Sequence, residues 1–407
     1  MSSISLFFRV HQSYRLKTYG SNEIEICHNY INEEASRKNI DRVAELCYLP
    51  SNSLLLSLAK EWKGKFKVAF SLSGTVLELL SRYRPDVIKS FQKLVKTGCA
   101  DILGETYYNS LAGLISETEF SRQTDKHRDL VKELFGVEPV VFRNTELIYN
   151  NDLAKLVRQM GFKGMLCEGT VSILHGRSPN VIYAAPGNGD FSVLLRNVRL
   201  SDDIAFRFDD VSWNEQPLTA EKFTGWIHGH GKDTDNINLL MDYETLGIYK
   251  PESTGIFNFL KKLPELVLED INWGFASPGE VLENYYPKDV YNVPQTISWD
   301  DSENSIWFEN AMQNNTLKKI YSLENMVMAA GDEDLINSWG LLQSADYLYY
   351  MKDCQHRTNN SYPNPFGSAS DAHRFFVNIL TDFEIQVIKK SLLRHTRRQN
   401  YLTSELL

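Results

Sequence analysis

Seven short apolar runs, each closed by polar or glycine residues, give the chain its first legible order. They are Ser5–Val10, Lys67–Leu72, Ala100–Leu103, Val140–Phe142, Lys163–Cys167, Ser192–Leu195 and Ile237–Met241. Short apolar runs with such stops predict buried strands. Between them, apolar residues recur at helical spacing. Ser53–Trp62 and Val87–Lys96 flank the second run. After the fourth run, Leu153, Leu156, Val157 and Met160 fall at i, i+3, i+4 and i+7, with Asn150 or Asn151 as the cap and Gly161 as the stop. Strands alternating with helices imply an α/β fold with a mainly parallel sheet and right-handed crossovers. Seven strands between Ser5 and Met241 suit a barrel. An open doubly wound sheet is the alternative, but no GxGxxG follows the first run, so a dinucleotide site has no support.

Beyond Asn304 the pattern changes. Ser305–Ala330, Glu333–Lys352 and Ser368–Arg394 are helical in spacing, and Tyr285–Asp301 is a connector. The expectation is a barrel domain over 1–300 and a C-terminal helical region over 301–407 that packs on the barrel and contributes to its site.

Composition narrows the class. A 407-residue chain that is 43% hydrophobic can bury a large core and more than one domain. A net charge of −9 with no basic block argues against a nucleic-acid partner. No stretch approaches the roughly 18 apolar residues of a membrane span. The opening MSSISLFFRVHQ lacks a basic leader and its apolar run ends in Arg9 and His11, so it reads as a strand and not a targeting segment. Cys27, Cys47, Cys99, Cys167 and Cys354 form no CxxC pair, as expected of reduced thiols in a cytoplasmic protein.

The chemistry lies at two run ends. In LMDYETLG (Leu240–Gly247), Asp242 and Glu244 follow the seventh run; in FRNTELIY (Phe142–Tyr149), Glu146 follows the fourth. Two carboxyl groups delivered by two strand ends are what glycoside hydrolysis requires. Either residue alone reads equally as a salt bridge or a cap. His228-Gly229-His230 lacks acidic ligands beside it, so neither a metal nor any cofactor is expected. Asp202-Asp203 and Asp209-Asp210 read as solvated loop acids or helix caps, and Lys389, Lys390, Arg394, Arg397 and Arg398 as one exposed helix face.

These motifs resemble glycoside hydrolase family 57, an α-amylase family with a seven-stranded barrel. Its five signature regions can be traced in order as His11-Gln12-Ser13, ADILGETYYNSL (Ala100–Leu111), FRNTELIY, MDYETLG and LQSADYLYYM (Leu342–Met351). The resemblance runs over nearly the whole chain and is greatest to the members carrying MDYET. It implies an incomplete TIM-like barrel with Glu146 as nucleophile and Asp242 as general acid/base. It also implies His11, Glu244 and Asp346 as substrate-binding residues, with Asp101 and Glu105 from the second region. For Glu244 to join the site, the backbone must bend after Asp242. Arg143 is expected to orient a carboxylate through a bidentate pair, with a purely structural pair as the equal alternative. Trp273, Trp299 and Trp307 are candidate sugar platforms, although core packing is the favoured reading of each. Three positions depart from the family pattern: Ser13 stands for Pro, Asp101 for Glu, and Tyr347 follows Asp346 where amylase-like members carry His.

The expected activity is a retaining hydrolase of α-1,4-glucans such as starch, glycogen or maltodextrin. A 4-α-glucanotransferase or branching enzyme uses the same two carboxyls and is the alternative. A non-catalytic glucan-binding protein is a reading from another class. A metal-dependent deacetylase would need an Asp-His-His set that the run ends do not assemble.

Overall fold

The computed structural model of the chain describes residues 1–231, 233–299, 309–352 and 364–404. It divides into two compact units. The first comprises Met1–Gln12, Arg37–Tyr107 and Glu117–Asp301; the second comprises Ser13–Ser36, Tyr108–Ser116 and Ser302–Leu407. A single cut near residue 300 therefore misplaces two loop segments. The reason lies in their side chains. Tyr30 is buried and donates its hydroxyl to Asp382, and a Cβ on Gly340 would lie 2.2 Å from the Tyr108 ring. Neither contact has a local sequence signature.

The first unit is an α/β fold with a mixed sheet. Its strands are β1 (Ser2–Val10), β2 (Val68–Leu72), β3 (Ala100–Ile102), β4 (Val141–Arg143), β5 (Gly164–Glu168), β6 (Tyr183–Ala185), β7 (Asn188–Arg196), β8 (Asn236–Asp242), β9 (Trp273–Phe275) and β10 (Asp289–Val290). All seven apolar runs contribute a strand. β6, β9 and β10 were not foreseen, because two or three residues are too few to show alternation. β1 pairs in parallel with β2, β8 and β9, β2 with β3, β4 with β5, and β7 with β5 and β8. A parallel bridge between Gly104 and Phe142 joins the end of β3 to β4. Gly104 is required there: a Cβ would stand 2.4 Å from the Phe162 ring. β6 adds antiparallel to β7, and β10 parallel to β6.

Helices Leu49–Glu61, Pro85–Val95 and Asn151–Gln159 stand where helical spacing predicts them. Asn150 caps the last, its side chain accepting from the Leu153 amide. Asp202 and Asp203 are not loop acids. They lie within helix Val198–Ala205, where Asp202 pairs with Arg196 and the buried Asp203 with Arg207. Asp209 pairs with Lys250.

Side chains two residues apart on a strand share a face. Phe7, Ala69, Leu103, Val141, Leu166, Leu194 and Leu240 form one buried cluster with Val281 of helix Pro278–Asn284. Moving two residues toward the C-terminal end of each contributing segment gives Arg9, Ser71, Glu105, Arg143, Glu168, Arg196 and Asp242. The apolar layer is thus followed by a layer in which every member is polar, and six of the seven are ionisable.

The second unit holds helices Ala311–Ser322, Glu324–Ala330, Glu333–Leu342, Ala345–Tyr349 and Ala369–Ser404. Two expected long helices are each broken into two, at Leu323 and at Gln343–Ser344. Trp307 and Cys354 lie outside the described residues.

Candidate active site

Arg9 is the organising residue of the polar layer. It lies on β1 in register with Asp242 at the end of β8. Its Nη1 donates to Asp242 Oδ1 at 3.1 Å, and its Nη2 donates to Glu146 Oε1 at 3.1 Å. One buried guanidinium therefore holds both predicted catalytic carboxylates. An arginine inside an apolar strand was itself a signal, because a charge taken out of water needs an opposite partner.

Glu146 reaches this position by an unusual backbone. β4 ends at Arg143, and Glu146 and Leu147 both have φ of 54°, in the left-handed region that side chains with a Cβ avoid. Such strain persists only where surrounding contacts over-determine it, and it clusters at functional sites. Those contacts are present. The Trp299 indole N–H donates to Glu146 Oε2 at 2.7 Å, and its backbone amide donates to the Glu146 carbonyl. Tyr149 and Ile297 form an antiparallel bridge, so the connector before residue 300 is laced along the Glu146 loop. Thr106 and Thr145 hydroxyls, 2.8 Å apart, tie the loops after β3 and β4 together. Trp299, weighed as a sugar platform against core packing, packs on the apolar cluster and holds the carboxylate.

Glu244 takes part because β8 stops at Asp242 and the chain enters a tight turn over Tyr243–Thr245. Its carboxylate accepts from the Tyr48 hydroxyl at 2.6 Å and from Gln12 Nε2 at 2.9 Å, and Asn39 in turn donates to Gln12. Burial, aided by the negative charge of Asp242, pushes the Glu244 carboxyl up to about 7. Tyr48 lies in no local motif; Gln12 stands in the first signature region, but nothing local pointed to Glu244 as its partner.

Glu105 Oε2 accepts from Ser71 at 2.6 Å and from Arg143 Nη1 at 3.2 Å, all three being buried. In place of the expected bidentate pair, Arg143 makes a single hydrogen bond to Glu105, on the oxygen that also accepts from Ser71. Glu105 Oε1 and Arg143 Nε are buried with no hydrogen-bond partner among the described residues. Burial lowers the Arg143 pKa, with the Arg9 charge acting in the same direction. His11, just past β1, sits 2.7 Å from the Ser73 hydroxyl through Nδ1. Ser73 also caps helix Gly74–Tyr83, which fixes the imidazole against a helix start.

Two predicted site residues, Asp101 and Trp273, are engaged elsewhere, and a third, Asp346, lies in the second unit. Asp101 accepts from the Gly279 amide at the start of helix Pro278–Asn284, and burial raises its pKa. It sits two residues before Leu103, one step from the apolar layer on the side away from Glu105. Trp273 is not an exposed platform: it pairs within β9 against β1, is 4% exposed, and packs on the His228 ring. Asp346 belongs to helix Ala345–Tyr349 of the second unit. Its neighbour Tyr347 donates to the Tyr14 carbonyl at 2.8 Å and packs on Phe376, so this departure from the family pattern serves the core of that unit.

A carboxylate pair brought together from the loop after β4 and the end of β8 is the arrangement that glycoside cleavage uses. The chain belongs to glycosyl hydrolase family 57, whose family model matches residues 5–294. It is 36% identical over 400 residues to a Methanocaldococcus jannaschii protein provisionally named an alpha-amylase, covering 94% of this chain and 84% of that one. Among solved structures it resembles the 4-alpha-glucanotransferase of Thermococcus litoralis, with a TM-score of 0.69 and 14% identity, over 94% of this chain and 59% of that one. It also resembles a branching enzyme of Pyrococcus horikoshii, with a TM-score of 0.67 and 13% identity, over 97% and 95%. At those identities the two structures speak for the fold alone. No described helix is long and apolar enough to cross a membrane.

Proposed function

We propose that the chain is a retaining hydrolase of α-1,4-glucans, with Glu146 as nucleophile and Asp242 as general acid/base. The observation that carries this reading is the convergence of Glu146 and Asp242 on the two outer nitrogens of Arg9. One small guanidinium keeps the carboxylates near each other, and retaining chemistry needs them about 5–5.5 Å apart. Glu146 attacks the anomeric carbon while Asp242 delivers a proton to the departing glycosidic oxygen. Asp242 then takes a proton from water, whose oxygen attacks the same carbon and releases Glu146.

Two structural elements belong to the same proposal. The parallel strands β1, β2, β3, β4, β5, β7 and β8 are read as the seven-stranded barrel, since their pairings and the Gly104 bridge run in a closed circuit. Asp346, in helix Ala345–Tyr349, is read as a glucan-binding residue.

The test is incubation with maltoheptaose, with products followed by mass spectrometry beside a Glu146→Gln control. Shorter sugars that vanish in the control are the expected result, with a rate loss on the order of 10⁴-fold or more. Longer or branched glucans would assign a transferase. Binding without any product would overturn the enzymatic reading.

A further inference from the structure

We infer that Arg9 is a positioning residue: it sets the separation of Glu146 and Asp242 and offsets the repulsion between them. The kinetic part of this inference rests on the proposed function; the hold on the two carboxylates does not. Two carboxylates facing one enclosed layer repel, and in a partly dry site that repulsion is weakly screened. Arg9 places one positive charge between them, through two separate nitrogens of a rigid planar fork. Its location is fixed on both sides. The β1–β8 register sets Arg9 beside Asp242, and the Glu146 loop is pinned by Trp299.

The charged surroundings support a dedicated role. From β4, Arg143 faces the same group and is engaged by Glu105. From the turn after β8, Glu244 is engaged by Tyr48 and Gln12. Arg196, on β7, is committed to Glu168, Asp202 and the Leu240 carbonyl. Each of these residues has other partners, and only Arg9 among them is seen to contact both Glu146 and Asp242. A lysine at this position would keep the charge but replace the fork with a single ammonium point.

The experiment compares the intact chain with Arg9→Met, Arg9→Lys, Glu146→Gln and the double variant Arg9→Met/Glu146→Gln. Melting temperature is read first. Arg9→Met should melt roughly 5–10 °C lower, because two like charges are left facing each other. Adding Glu146→Gln should recover a large part of that loss. On maltoheptaose, Arg9→Met should lose about 10²-fold in kcat with KM within about threefold, the signature of misplaced reacting groups. Arg9→Lys should fall between the two. Melting losses that simply add in the double variant would overturn the inference, whatever the kinetics. So would a folded Arg9→Met enzyme with wild-type kcat, or one that changes KM alone. If the melting coupling holds while Glu146→Gln leaves turnover untouched, the assignment of the nucleophile fails and the hold of Arg9 on the pair stands.

Discussion

The two ends of the enclosed strands bury polar groups in different currencies. On the side of the apolar layer toward the strand starts, the contacts are mostly neutral. Ser3 and Ser5 hydroxyls donate to Asn236 Oδ1, Asn236 Nδ2 donates to Asn238, and Ser5 also reaches the Ala276 carbonyl. On the other side stand Arg9, Arg143, Arg196, Glu105, Glu168 and Asp242. Neutral amides and hydroxyls satisfy each other at modest net gain. Buried ion pairs barely repay their desolvation, and apolar residues of similar volume would often be as stable. A fold that needed only stability could use the first solution at both ends. The concentration of charge at one end is therefore evidence of chemistry, and the strained backbone of Glu146 stands at that same end.

The contrast can be broken first at Trp299. Trp299→Phe keeps the ring and removes the indole N–H from Glu146 Oε2. The expected outcome is a kcat loss on the order of 10²-fold, equivalent to about 2.7 kcal/mol of barrier, with little change in melting temperature. Steady-state kinetics on maltoheptaose decide it. A Trp299→Phe enzyme that loses stability and keeps its kcat would make this end structural as well.

The neutral end should respond in the opposite way. Asn236→Ala removes the acceptor shared by Ser3 and Ser5 and the donor to Asn238. Denaturant unfolding should show a loss of about 2 kcal/mol, while kcat at a temperature where the variant is folded stays at wild type. A kinetic defect as large as that of Trp299→Phe would erase the distinction between the ends.

The apolar runs placed seven strands because buried parallel strands carry continuous hydrophobicity, which a reader can see. They also placed Glu146 and Asp242 correctly at strand ends, because the strand stop and the carboxylate are adjacent in sequence. What stayed hidden depends on partners far along the chain. Arg9 looks like a flaw in an apolar run until β8 is laid beside β1. Tyr48 and Gln12 meet Glu244 only through the turn after β8. The partners of Trp273 and Asp101 were hidden for a related reason. A tryptophan in a three-residue strand and an acid inside a short strand give no sign of which neighbours receive them, and here those are β1 and the amide of Gly279.

Glu244 gives the smallest effect and the finest test, since it is the member of the charged end whose carboxyl is pushed up to about 7 from an ordinary value of 4.5. Below pH 4.5 the folded and unfolded chains both hold this proton. Between 4.5 and about 7 the folded chain keeps it and the unfolded chain has released it. Stability from this group is therefore complete at low pH and declines as pH rises, by about 1 kcal/mol per pH unit inside the window, with no further loss above it. Glu244→Gln keeps a carbonyl acceptor for Tyr48 and Gln12 and cannot titrate. Melting temperatures of the two proteins, compared between pH 5 and pH 8, should converge or cross as pH rises, the parent losing ground. Asp101, also raised by burial, titrates with the same sign, but it is present in both proteins and cancels in the difference. Parallel melting curves across that range would mean that Glu244 is already ionised at pH 5. The charged end would then be charged throughout, with no neutral acid beside Asp242.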